Sequence, residues 1–149
     1  PAWRPGRDGA AERGATAGAA RQPRPQARRV LGTRRGPDGL EVKRGDVVPC
    51  VAPGAYGKPR PAVVVQSDLF NDTHHSVTVC PLTSDLRDAP LFRLDLAPSA
   101  GNGLKKPSHV MIDKVVSLPV DRIRPAIGKL TDSQLAQVSA ALRLWLALD

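Results

Sequence analysis

Short runs of β-branched and alternating apolar residues dominate the chain from residue 44 to residue 118. Clusters of Gly, Pro, Asn and Asp separate these runs, which is the pattern of strands joined by turns. The runs occupy residues 46–51, 61–66, 76–82, 91–96 and 110–118. Their lengths and close spacing predict a mainly β domain built as a small antiparallel, barrel-like sheet.

Two prolines limit where their strands can sit in this sheet. Pro49 and Pro81 have no backbone N–H to donate to a neighbouring strand, so we expect them at edges, bulges or strand ends. Asn102-Gly103 follows the fourth run and predicts a tight turn.

The pattern becomes helical near the end of the chain. Thr131 can cap a helix, and Gln134 three residues later completes a capping box. Apolar residues then recur at spacings of three and four, which predicts one stripe packed on the sheet. The stripe consists of Leu135, Val138, Leu142 and Trp145. We expect Trp145 in the core rather than in a binding site.

Composition divides the chain at about residue 40. Residues 1–40 hold nine arginines against three acidic residues, whereas residues 41–149 carry a net charge of only +2. Residues 1–40 also contain few large apolar side chains and several prolines, so too little apolar surface is available to offset ordering entropy. We predict a disordered Arg/Ala/Pro-rich extension over 1–40 and a folded domain over 41–149. The extension could attract RNA phosphates, could be a transit-like segment, or could have no function.

Neither membrane spans nor a disulfide framework is indicated. The sequence has no run of about 18 apolar residues and no apolar segment typical of a secretory signal, which favours a soluble, cytoplasmic protein. Cys50 and Cys80 are the only cysteines, and no Cys/His spacing typical of a metal site accompanies them. We expect both to be buried small hydrophobes, with a Cys50–Cys80 bridge as the alternative.

The candidate chemistry lies around the second and third strands. Arg60 follows a Gly/Pro turn, and Thr83 and Ser84 end a strand. Such groups suit a phosphodiester, because a guanidinium can bind two phosphate oxygens while hydroxyls stabilise developing charge. With no metal or cofactor predicted, the ribose 2′-OH is the expected nucleophile. RNA is then the substrate, and the products are a 2′,3′-cyclic phosphate and a 5′-OH.

The histidines are alternative proton carriers. His74 and His75 are adjacent in a predicted hairpin loop, where neighbouring side chains point to opposite sides. We therefore expect them to be solvent-exposed, and we expect His109, beside a strand, to be structural.

The stretch from Arg44 to Ser84 resembles the MazF/PemK family of toxin endoribonucleases. The resemblance extends over residues 42–148 and rests on an order of motifs: Arg44-Gly45-Asp46-Val47-Val48, the turn before Arg60-Pro61, Ala62-Val63-Val64-Val65, and Cys80-Pro81-Leu82-Thr83-Ser84. It implies an SH3-like barrel with a C-terminal helix. It also implies a homodimer that cleaves single-stranded mRNA at specific sequences without a metal and is neutralised by a cognate antitoxin.

The resemblance also assigns roles to residues. It implies that Arg60 is the acid/base group and that Thr83 stabilises the transition state. A guanidinium stays protonated near neutral pH and is a poor base, so the residue chemistry favours charge stabilisation by Arg60. The expected RNA-binding residues are Tyr56, Gly57, Lys58, Ser84, Lys105 and Lys114.

Two other functions remain open. The CcdB family shares this fold and poisons DNA gyrase by binding, and Val65-Gln66-Ser67-Asp68 is similar to one of its strands. That family needs a tryptophan close to the chain end, whereas Trp145 lies within the predicted stripe, which favours the nuclease. A catalytically silent barrel that only binds protein is the third possibility.

Overall fold

The computed structural model describes residues 41–51 and 58–149. The predicted extension over 1–40, and the predicted RNA contacts Tyr56 and Gly57, lie outside the described residues. The strands are β1 Asp46–Cys50, β2 Arg60–Val64, β3 Ser76–Thr83, β4 Arg93–Leu96, β5 Ser108–Met111, β6 Val116–Pro119 and β7 Gly128–Lys129. The helices are α1 Asp68–Asn71 and α2 Asp132–Leu146.

All pairings between these strands are antiparallel. The sheet follows the order β4-β5-β3-β2-β1-β7, and β6 adds to β3. It curls into a half-barrel followed by α2, which confirms the predicted fold class.

Strand β3 organises the sheet because it has two successive partners on one side. Its first half pairs with β6 from Ser76 to Val79, and its end pairs with β5 at Leu82 and Thr83. Pro81 lies between these two ladders, where a missing N–H breaks no pairing on that side. The proline is therefore tolerated in a central strand.

The single strand predicted over 110–118 is wrong. A 3₁₀ turn at Ile112–Lys114 divides it into β5 and β6, so that each part reaches a different half of β3. Ile112 is fully buried and its N–H donates to the Phe92 carbonyl oxygen at 3.0 Å. An apolar run of this kind cannot reveal the break, because both the strands and the turn bury their apolar residues.

Helix α2 begins as the sequence predicts. Thr131 Oγ1 accepts the Gln134 N–H at 3.1 Å, and Gln134 Oε1 accepts the Thr131 N–H at 2.9 Å, which completes the capping box. Val138 and Ala141 are buried against the sheet. The core position predicted for Trp145 is wrong: this residue is 47% exposed and lies against Phe92, with ring centroids 5.6 Å apart. The stripe leaves the sheet at the last turn of the helix.

Among the described residues, no helix has both the length and the apolar character needed to cross a bilayer.

The buried apolar side chains form two clusters. One contains Cys50 and Val48, and the other contains Cys80, Val63 and Val138. Both cysteines are free and buried, as predicted, and they belong to different clusters. Burial raises the pKa of the Cys50 thiol. Burial and the nearby Asp113 carboxylate raise the pKa of Cys80 to about 12.

We therefore expect both thiols to be inert in the native protein, because the thiolate is the reactive form. An aromatic disulfide reagent at neutral pH should modify neither cysteine before unfolding and both in denaturant. Rapid modification of Cys80 in the native state would contradict this assignment.

Asp46 begins β1 and accepts the Lys43 N–H at 2.9 Å. Desolvation raises the pKa of Asp46 above the usual 3.8. At pH values between 3.8 and this raised pKa, the folded chain keeps a proton that the unfolded chain has released. The contribution of this group to the free energy of unfolding is thus largest below pH 3.8 and falls as pH rises through the folded pKa.

An Asp46→Asn variant cannot lose this contribution. Its free energy of unfolding should increase relative to that of the wild type between about pH 3 and about pH 6. Urea unfolding of both proteins at each pH measures the difference. A constant or decreasing difference would mean that another group dominates at this position.

Candidate functional site

Arg60 and Thr83 lie at the same end of adjacent strands. Arg60 begins β2 and Thr83 ends β3. Next to Arg60, Pro49 pairs with Pro61, and neither ring has an N–H for the ladder. The register pairs Ala62 with Pro81. Because the strands are antiparallel, Arg60, two residues before Ala62, and Thr83, two residues after Pro81, lie at the same edge of the sheet, on neighbouring strands.

A cleft of about 360 Å³ opens at this edge. Its polar lining consists of Arg60, Thr83, Ser84, Lys105, Lys106 and Ser108. Its apolar lining includes Pro49, Pro59, Leu82, Leu104 and Ile127. None of the described residues that line it is acidic, so the cleft is a positively charged pocket with hydroxyl groups at one end of the sheet.

The Thr83 hydroxyl is oriented by the loop that follows it. Its Oγ1 accepts the Asp85 N–H at 3.1 Å, which leaves the hydroxyl hydrogen free to be donated. An anion in the cleft would supply the acceptor. The Asp85 carboxylate itself bonds the Arg87 guanidinium at 3.1 Å on the exposed side of this loop.

His109 lies directly across the β3–β5 ladder from Thr83. It is buried, its Nδ1 accepts the Arg87 N–H at 3.4 Å, and its Nε2–H donates to Asp95 Oδ1 at 2.6 Å. These bonds agree with the structural role expected from the sequence. His74 and His75 are exposed, as predicted, and do not line the cleft.

Four of the predicted site residues come together in the cleft: Arg60, Thr83, Ser84 and Lys105. Lys58 is exposed and precedes the cleft residue Pro59. Lys114 is exposed on the 3₁₀ turn and does not line the cleft, because that turn lies between β5 and β6 rather than at the end of β3.

The predicted site residues do not include Lys106, Ser108 or the apolar wall formed by Leu104 and Ile127. The turn at Asn102-Gly103 followed by two lysines could have indicated the segment that contains Leu104 and Lys106. Nothing local marks Ile127, which reaches the cleft only through the pairing of β7 with β1. Within the described part of the chain, no group of three or more His, Cys, Asp or Glu side chains is arranged to hold a metal ion.

Comparison with known proteins identifies the family. Residues 43–146 match the family described as "PemK-like, MazF-like toxin of type II toxin-antitoxin system". Probable endoribonuclease MazF from Mycolicibacterium smegmatis is 39% identical over 108 residues, which cover 72% of this chain and 98% of the relative. Endoribonuclease EndoA from Bacillus subtilis is 27% identical over 111 residues, which cover 72% of this chain and 96% of the relative.

A solved structure agrees with these relatives. The Mycobacterium tuberculosis toxin MazF-mt6 is 26% identical, superposes with a TM-score of 0.61, and the match covers 70% of this chain and 98% of that toxin. The family match spans both strands of the cleft, the loop that bears the two lysines and the whole of α2. The chain therefore belongs to the PemK-like, MazF-like toxin family of type II toxin-antitoxin systems.

Proposed function

We propose that this protein is a metal-independent endoribonuclease toxin that cleaves single-stranded mRNA at specific sequences. The observation that carries the proposal is the cleft, which combines one guanidinium, three hydroxyl groups and two ammonium groups. Relatives of this chain named as endoribonucleases support the same activity. Attack by the ribose 2′-OH on the adjacent phosphate would leave a 2′,3′-cyclic phosphate and a 5′-OH.

In this proposal Arg60 binds the non-bridging oxygens of the scissile phosphate through its fork of N–H groups. The Thr83 hydroxyl donates to the same phosphate as negative charge develops, and Ser84 supplies a second donor nearby. Lys105 neutralises a flanking phosphate, while Lys58 contacts the RNA at the mouth of the cleft. Lys114 does not line the cleft and is retained only as a peripheral RNA contact.

The family also suggests partners. We infer a homodimer that acts in the cytoplasm and a cognate antitoxin that blocks the cleft with an extended, acidic segment. The charge of the cleft supports such a segment, because its lining offers cations without described acidic residues. The domain over 41–149 would perform the reaction, and the Arg-rich extension over 1–40 would add at most a salt-sensitive attraction to RNA.

Incubation of the purified full chain with a long single-stranded RNA in EDTA tests the proposal. We expect cuts at a limited set of sequences, each with a 5′-OH end that a kinase can phosphorylate directly. Intact RNA, or 5′-phosphate ends, would contradict it. A supercoiling assay with DNA gyrase on the same preparation distinguishes a silent barrel from a CcdB-like gyrase poison.

A further inference from the structure

The loop between β4 and β5 is organised around one buried polar side chain. Asn102 is 1% exposed. Its Oδ1 accepts the N–H groups of Ser99 and Leu104, both at 3.0 Å, and its Nδ2 donates to the Ala97 carbonyl oxygen at 2.8 Å. Its own N–H donates to Ser99 Oγ at 3.1 Å. A single amide thus satisfies backbone groups on both sides of the turn.

This loop is also fixed to β7 at very close range. The Lys129 N–H donates to the Gly101 carbonyl oxygen at 2.9 Å. A Cβ on Gly128 would lie 2.3 Å from the Asn102 carbonyl carbon, and Gly103 has a φ of +69° against the Ile127 carbonyl. The backbones of the loop and of β7 therefore meet where no larger residue fits.

The residues that follow Asn102 form one wall of the cleft. Gly103, Leu104, Lys105 and Lys106 all line it, and the Leu104 N–H donates to Asn102 Oδ1. The polar groups at the opposite side belong to β2 and to the end of β3, and none of them bonds Asn102 in the structure. Asn102 thus fixes the start of the lysine-bearing wall, and Ser108 Oγ on β5 donates to the Lys106 carbonyl oxygen at 3.0 Å at its other end.

We propose that Asn102 is a positioning residue that holds the lysine-bearing wall ready for a nucleic-acid phosphate. This inference rests on the proposed function and specifies how the same site gains its affinity. Long lysine side chains lose conformational freedom on binding, and a fixed backbone reduces that cost. Asn102 thus affects the affinity for RNA, whereas Arg60 and Thr83 determine the rate at which bound RNA is cleaved.

The test compares two buried asparagines. Asn102→Ala should weaken RNA binding about three- to tenfold, seen as a raised KM with kcat changed less than twofold. Asn71→Ala is the matched control: Asn71 is 3% exposed, bonds Gln66 and Asp68, and does not line the cleft. It should lose comparable stability and keep the wild-type KM. Circular dichroism and denaturant unfolding establish the folded fraction of each variant.

A salt titration separates positioning from general loosening. The probe is a 2′-O-methylated single-stranded oligonucleotide spanning a mapped cut site, or a mixed-sequence one if none is found. The slope of log Kobs for RNA binding against log salt concentration should be smaller in magnitude by about 0.7 in Asn102→Ala. This is the contribution of one phosphate contact to the slope for a single strand. Lys105→Ala should show the same change, and the double variant Asn102→Ala/Lys105→Ala should be little worse than either.

The outcomes are distinct. Equal effects of Asn102→Ala and Asn71→Ala on KM, an unchanged salt slope, or strictly additive effects with Lys105→Ala would overturn the positioning role while the nuclease remained. A wild type that neither cuts nor binds the RNA would overturn the proposed function and this inference together.

Discussion

An Arg60→Ala variant should cleave RNA about 100- to 1,000-fold more slowly than the wild type, with its fold intact. Arg60 is exposed at the start of β2, so its removal leaves no cavity in the core. In the proposed mechanism, the loss falls on the charge that develops at phosphorus, because a guanidinium can bind two phosphate oxygens through its N–H groups. Single-turnover cleavage of a long RNA, with circular dichroism of both proteins, measures the effect.

Two further variants assign the cause. Arg60→Lys keeps the positive charge without the fork and should recover only a minor part of the rate. Thr83→Ala removes the hydroxyl on the neighbouring strand and should slow cleavage by a comparable factor. Arg143→Ala is the matched control, because Arg143 is an exposed arginine on α2 that does not line the cleft. Full activity of Arg60→Ala would remove the residue from the mechanism.

The second large effect concerns stability. Gly128→Ala should lower the free energy of unfolding by about 1–3 kcal/mol, because its Cβ would lie 2.3 Å from a backbone carbon and 2.5 Å from the Gly101 carbonyl oxygen. Backbone atoms cannot rotate away as a side chain can, so β7 or the loop must move. Urea unfolding followed by circular dichroism gives the difference.

A neighbouring glycine supplies the control. A Cβ on Gly101 would meet only Ser99 Oγ, at an ordinary 3.7 Å. Gly101→Ala should therefore change the free energy of unfolding by less than about 1 kcal/mol in either direction. If the two variants are equally stable, the close approach of the loop to β7 is not a constraint on the fold.

The sequence predicted most reliably what depends on near neighbours. The capping box at Thr131 and Gln134 and the turn at Asn102-Gly103 are local hydrogen-bond patterns, and both are present. The break at Ile112 and the exposure of Trp145 were missed, because each depends on which distant element receives the side chain. Apolar periodicity indicates that a residue is buried or amphipathic but does not identify its partner.

The candidate site shows the same division. Arg60 and Thr83 were predicted as a pair through the resemblance to a family, since residues 23 positions apart carry no spacing that links them. The strand register then explains why they share an edge. The opposite wall depends on Asn102 and Ile127, which approach each other only through the loop and β7. Such long-range packing has no local pattern from which it could be predicted.

The order in which the cleft residues occur along the chain affects when the site can exist. The lining runs from Pro49 to Ile127, and Thr83 is held in the sheet by a strand that ends at Met111. When only the first half of the domain has left the ribosome during synthesis, Arg60 and Thr83 have been made, but the lysine-bearing wall of the cleft has not. The cleft to which we assign mRNA cleavage is thus complete only when translation of the protein's own message is nearly finished.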